Sequence, residues 1–516
     1  MHHPDWDELA LEERTAGGVS LYGSQYTDVL GCGVHKLDDL RFTTSEELAM
    51  SPPKSQGSAW GWLVTICCVG LLLLAILAPR RTFTREDRVP TGKAEALASK
   101  GESTAISGVP IRAKTPQTAE EVVAGKVNEF ARDRLRITRA MAKRHQAELP
   151  EEVDQFFNAV AGGRWGELNE LYHRLEKIRD ADDKLGSVWP PILETLLVAE
   201  CAHSWPAQKL LDYGQATLGS LSPGMVYVGG TDPGRGIPTL LNETSGGERH
   251  VVLTQNALAD ASYLDYMRFL YGDQLSLPSE ADSKQAFDAY MADAQLRLEH
   301  DQRFPDEPKQ VRPGESIQFV PDADTDSSGN PKARVEVSGN VAVMSINELI
   351  LQGILAKNPG MSFAVEESYP LPSTYASAVP LGPLMELRAS DAQNGFTLDA
   401  AGNTMDYWRS ASEQLQNDAE APEGSEVRKS YSHMAVAQAN LLTSHGYSAE
   451  AEATYRIAME LEPSNPEAVY ALSTLLGQSG RLDEAQLLVN DYTRNHPDQA
   501  PPPQSTFTVG WQTPPK

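Results

Sequence analysis

The sequence predicts one N-terminal transmembrane helix, a helical region, an α/β middle domain with a parallel sheet, and an all-α C-terminal unit of helix pairs. Three observations lead there. Residues 59–78 form an uncharged apolar run, the middle of the chain alternates β-branched runs with helical spacing, and residue types near the C-terminus recur at a fixed interval.

The totals set the bounds. A chain of 516 residues exceeds one hydrophobic core, and 41% hydrophobic with 22% charged residues is a globular composition. The net charge of −27 excludes a nucleic-acid binder, because phosphate contacts need clustered Lys and Arg. Of four cysteines, Cys67 and Cys68 lie in the apolar run, leaving Cys32 and Cys201. No disulfide framework and no metal spacing follows, and His203, His250 and His300 are isolated. No cofactor, metal or catalytic constellation is expected.

The run AWGWLVTICCVGLLLLAILA (59–78) matches the hydrocarbon thickness, roughly 30 Å at about 1.5 Å per residue. Trp60 and Trp62 mark one edge as interfacial, and Pro79 argues against cleavage there. The chain is therefore expected to hold the membrane through residues 59–78. Arg80, Arg81, Arg85, Arg88 and Lys93 follow the run, so the charge rule places the body in the cytoplasm. Residues 1–58 read as an acidic flexible tail, and residues 79–117, rich in Lys, Thr, Gly, Ser and Pro, as a linker.

Helical spacing runs through residues 118–221, mixed spacing through 222–390, and helical spacing again through 395–498. Residues 500–516 (APPPQSTFTVGWQTPPK) read as a disordered Pro-rich tail. Gly446 and Gly480, Ala451 and Ala485, and Pro463 and Pro497 each stand 34 residues apart. The glycines suit the end of a first helix, the alanines a close helix crossing, and the prolines the stop after a second helix. Leu442, Tyr455 and Ala458 in one copy, and Leu476, Val489 and Tyr492 in the other, supply apolar packing. The pattern resembles the tetratricopeptide repeat (TPR), with two copies over about 432–498. Phe156-Phe157 leading through Gly163-Arg164-Trp165 reads as a degenerate copy or a plain helical hairpin, two alternatives that stay open.

In the middle domain, GMVYVGG (224–230) reads as a buried strand, HVVLTQ (250–255) as a second, and ASYLDYMRFLYG (261–272) as a helix. SINELILQGILAKNPG reads as a helix, followed by strands in MSFAVEES and GPLMELR. The βαβα order predicts a parallel sheet, whose ligands gather at strand carboxyl ends and helix N-termini. Gly229, Gly230, Thr231, Asp232 and Arg235, with Gln255 and Asn256, are thus the candidate ligand-binding residues. The loop approaches a phosphate-binding pattern, but Arg235-Gly236 stands where Lys-Ser/Thr is required, which weakens an ATPase reading. Glu366, Glu367 and Ser368 end a later strand that could face the same cleft. The aspartates of 322–326 lack the glycine and glutamate spacing of a calcium loop and favour a polar hairpin turn.

GMVYVGGTDPGRGIPTLL, RHVVLTQNAL and YLDYMRFLYG resemble the soluble segment of bacterial multi-spanning proteins related to protein O-mannosyltransferases. Gly230-Thr231-Asp232 takes the place of an acidic motif there, with one aspartate remaining. The resemblance implies a fold, a possible saccharide ligand and an extracytoplasmic body, against the charge rule. The arrangement also resembles single-pass bacterial membrane proteins carrying TPRs. The leading expectation is a non-enzymatic membrane-tethered scaffold binding a protein partner through its TPRs. The alternative is a carbohydrate-binding or glycosyltransferase-related protein, accessory or enzymatic, using the α/β cleft.

Overall fold

A computed structural model describes residues 117–181, 183–325, 331–370, 372–387 and 396–497. The expected tail (1–58), transmembrane run (59–78), nearly all of the linker (79–117) and the Pro-rich tail (500–516) lie outside the described residues. Among the described residues, no helix is long and apolar enough to cross a membrane.

The helical region opens with α1 (Ala119–His145), started by a capping box. The Thr118 hydroxyl accepts from Glu121 N–H at 3.2 Å, and the Thr118 N–H donates to the Glu121 carboxylate at 3.1 Å. The helix buries Val123, Val127, Phe130 and Met141 against α2 (Glu151–Ala161) and α5 (Trp189–Ser204). Between these lie α3 (Trp165–Ala181) and the short α4 (Asp183–Gly186), and α6 (Ala207–Leu218) follows. Phe156 and Phe157 of α2 are both buried and meet edge to face, 5.4 Å between centroids.

The middle contains β1 (Val226–Gly229), α7 (Asp232–Glu243), β2 (Val252–Thr254) and α8 (Ala261–Tyr271). Next come α9 (Glu280–Arg303), β3 (Ser316–Thr325), β4 (Pro331–Ser338) and α10 (Asn340–Lys357). Then follow β5 (Phe363–Glu366), α11 (Pro372–Tyr375), β6 (Ala378–Leu381) and β7 (Leu384–Leu387). Five strands form one sheet in the order β2-β1-β5-β7-β6.

The expected parallel sheet is corrected here: the sheet is mixed. β1 runs parallel to β2 and β5, whereas β7 runs antiparallel to both β5 and β6. The reason is chain length. Only Gly382 and Pro383 join β6 to β7, and a parallel connection needs a crossover of a dozen or more residues. Gly382 takes φ +57° in that turn. β6 includes Pro380, which donates no ladder hydrogen bond, and it lies at the sheet edge.

The acidic run forms part of a hairpin: β3 and β4 pair antiparallel as a separate two-stranded sheet. Its turn, residues 326–330, lies outside the described residues. α9 braces this hairpin through Glu315, whose buried carboxylate accepts from Arg297, Arg312 and Tyr290. Burial opposes ionisation, yet these donors hold the Glu315 carboxyl down at about 2.

The C-terminal helices are α12 (Leu398–Gln416), α13 (Glu426–Ser444), α14 (Ser448–Leu461), α15 (Pro466–Gln478) and α16 (Leu482–Asn495). Both pairs α13/α14 and α15/α16 are joined through a left-handed glycine, Gly446 at φ +81° and Gly480 at φ +79°. The closing bonds repeat, Tyr447 N–H to Leu442 C=O at 3.0 Å and Arg481 N–H to Leu476 C=O at 2.9 Å. Ala451 and Ala485 are buried, while Pro463 and Pro497 each stand two residues past a helix end. Val489 is only half-buried, because α16 is the last described helix and, among the described residues, nothing stacks beyond it. Gly480→Val is expected to destabilise the unit by about 1–2 kcal/mol or more, since a side chain strains that backbone. An unchanged melting temperature contradicts the assigned register.

Candidate functional site

The β1–α7 turn is built as an anion cradle, and the chain fills it with its own carboxylate. β1 is buried along its length and ends at Gly229. Thr231 then caps α7, its hydroxyl accepting from Gly234 N–H at 3.0 Å. The parallel register sets Glu366 of β5 beside Gly229. One Glu366 oxygen accepts from Gly230 N–H and Thr231 N–H, both at 2.8 Å, and the other accepts the Thr231 hydroxyl at 2.8 Å. These are the free N–H groups expected to meet a ligand. Glu366 is 1% exposed.

The glycines follow from this contact. A Cβ on Gly234 would lie 1.9 Å from the Glu366 carboxylate, and one on Gly230 would lie 2.3 Å from Ser368 N. Tyr213 and Tyr227 lie near the carboxylate. Burial first, and the charge of Glu366 second, push both phenols well above their ordinary range.

Of the other candidate side chains, Asp232, Arg235 and Gln255 are likewise engaged. Arg235 turns back on its own helix, its Nε 3.1 Å from the Asp232 carboxylate. The Gln255 side-chain oxygen accepts from Ser368 N–H at 3.0 Å and from the Ser368 hydroxyl at 2.9 Å. The main-chain carbonyl of Asn256 accepts from Asn347 of α10 at 3.3 Å, while its buried side-chain oxygen has no hydrogen-bond partner among the described residues. The structure thus gathers Gly229, Gly230, Thr231, Gln255, Glu366 and Ser368 at the strand ends, while Asn256 is turned aside. Among the described residues no group of three or more His, Cys, Asp or Glu is placed to hold a metal.

A seam joins the sheet to the C-terminal helices. Gln438 of α13 donates to Leu384 C=O at 2.5 Å, and a ring nitrogen of His445 lies 2.8 Å from Tyr375 C=O. His433 has one ring nitrogen 2.9 Å from Glu367 C=O and the other 2.9 Å from the Glu467 carboxylate. Burial alone would lower its pKa, but Glu467 and the neighbouring acceptors outweigh that and push it up to about 9. Glu467 is about half exposed, so water screens this pair.

The seam decides which repeat surface is open. α13 is buried over most of its surface from Val427 through Leu442, with Lys429, His433 and Asn440 half-buried along one face. α16 buries only Ala485 and Tyr492 and leaves Leu482 68% and Leu487 59% exposed. Across residues 444–505 the chain matches the family model described as tetratricopeptide repeat. The chain carries TPRs. No curated protein and no solved structure matches it, so the mannosyltransferase-like resemblance of the middle domain gains no relative. The match takes in α14, α15 and α16; α13 packs against the sheet, and α16 carries the most exposed apolar residues of the C-terminal helix pairs.

One buried cluster escaped the sequence reading. Arg134 of α1, 0% exposed, donates from Nε to Glu194 at 2.6 Å and from Nη1 to Glu243 at 3.4 Å. Tyr266 donates to Glu194 at 2.7 Å and Tyr271 to Glu243 at 2.9 Å. The signal lay in the helical period. Arg134 falls on the stripe Val123, Val127, Phe130, Met141, where a charge needs partners.

Proposed function

We propose that the chain is a membrane-tethered scaffold whose second TPR pair binds a protein partner. The TPR match together with the exposed apolar residues of α16 carries this reading, since stacked helix pairs serve as extended binding surfaces. Exposed Leu482 and Leu487 supply apolar anchors of the kind that partners bury. The tether rests on the run 59–78. The carbohydrate alternative draws less support, because Glu366 already occupies the amides that a ligand at Gly230 and Thr231 would use.

The test is affinity capture from detergent extracts with the full chain and its Leu482→Asp/Leu487→Asp variant. A partner recovered by the wild type and lost with the folded variant supports the reading. Identical recovery by both contradicts it.

A further inference from the structure

The outer face of α1 carries a stripe of cations in an otherwise acidic protein. Arg132, Arg136, Arg139 and Lys143 are all exposed and recur at intervals of four, three and four residues. That spacing holds them in a band about 60° wide at 3.6 residues per turn, opposite the buried stripe of Val123, Val127, Phe130 and Arg134. Leu135 floors an open groove between them, with Asn128 and Glu129 at one end. Acids lie at one end, where the first turn of α2, carrying Glu151, Glu152 and Asp154, meets the stripe through Asp154 and Arg139. Asp133 pairs with Arg136, Asp154 of α2 lies 2.8 Å from Arg139, and Glu129 is exposed. Arg132 and Lys143 have no acidic partner among the described residues. Arg136 and Arg139 are 77% and 55% exposed, and such surface pairs yield readily to a stronger anion.

We propose that this face of α1 lies against the anionic phospholipid headgroups of the membrane that holds the chain. The proposal rests on the tethered reading above. Charge complementarity favours lipid, because residues 79–117, between the apolar run and α1, carry eight Lys/Arg against four Asp/Glu. A juxtamembrane basic segment continued by a basic helix face is what an anionic leaflet attracts. The net charge of −27 argues against nucleic acid at the same place.

The experiment is chemical footprinting of the full chain in lipid nanodiscs, one set of phosphatidylcholine alone and one mixed with phosphatidylglycerol. Amine- and guanidine-directed labelling is read by mass spectrometry. Labelling of Arg132 and Lys143 is expected to fall roughly five-fold on the anionic discs. Exposed Lys284 and Arg494, on α9 and α16, should label equally on both. High salt should restore α1 labelling, and Arg132→Glu/Arg136→Glu should abolish protection of Lys143. Equal labelling of α1 on both disc types, with the chain retained in the discs, overturns the proposal and leaves the tether standing. A chain that leaves neutral discs in high salt sinks the tether instead, and protection on anionic discs then still supports the stripe. Protection that appears only after extract proteins are added, on both disc types alike, overturns it in favour of an acidic protein surface.

Discussion

Replacing Arg134 with methionine is expected to cost about 3–5 kcal/mol of stability, the usual result of removing one partner of a buried ion pair. Glu194 and Glu243 have side chains only 19% and 10% exposed, so water cannot take the place of the guanidinium. Burial opposes the Arg134 charge, yet the two glutamates outweigh it and raise its pKa well above the usual range. Tyr266 and Tyr271 can still donate to the carboxylates but carry no compensating charge. The triple variant Arg134→Met/Glu194→Gln/Glu243→Gln should recover most of the loss, because no unpaired charge remains. Urea unfolding of the three proteins checks this. A single variant as stable as wild type would show that the cluster is not a brace.

Glu366→Ala is expected to destabilise the protein by about 3 kcal/mol or more, at about 1–3 kcal/mol for each buried donor left without a partner. Two amides and one hydroxyl lose their acceptor at once. Glu366→Gln keeps an acceptor oxygen and should lose less. The emptied cradle also gains a readout of its own. Phosphate should raise the melting temperature of Glu366→Ala and leave the wild type unchanged, because the helix N-terminus attracts an anion once Glu366 is gone. Equal stabilisation of both proteins would mean that the turn takes anions beside Glu366, which would favour the ligand-binding reading of Thr231 and Asp232.

What the sequence disclosed follows from the range over which each feature is encoded. The repeats were legible because Gly446, Ala451 and Pro463 each recur 34 residues later, and each residue type meets a local demand. β1, β2 and β5 were legible as short apolar runs. β6 was not, since Ala378–Leu381 offers four residues with a proline among them, and its strand character comes from pairing with β7. The role of Glu366 was hidden for a different reason. Only the parallel register across the intervening α8, α9, hairpin and α10 brings it to Gly230 and Thr231. The burial of α13 was equally hidden, because its covering surface comes from Leu384, Tyr375 and Glu367 of the sheet region.

The scaffold account is tested most directly by photo-crosslinking in native membranes, with the photoreactive residue placed at Leu487 or, as a control, at Leu296. Both positions are exposed, 59% on α16 and 66% on α9. The account predicts one discrete protein adduct from Leu487 and none from Leu296. An adduct from Leu296 alone, or none from Leu487, would contradict partner binding by the second TPR pair.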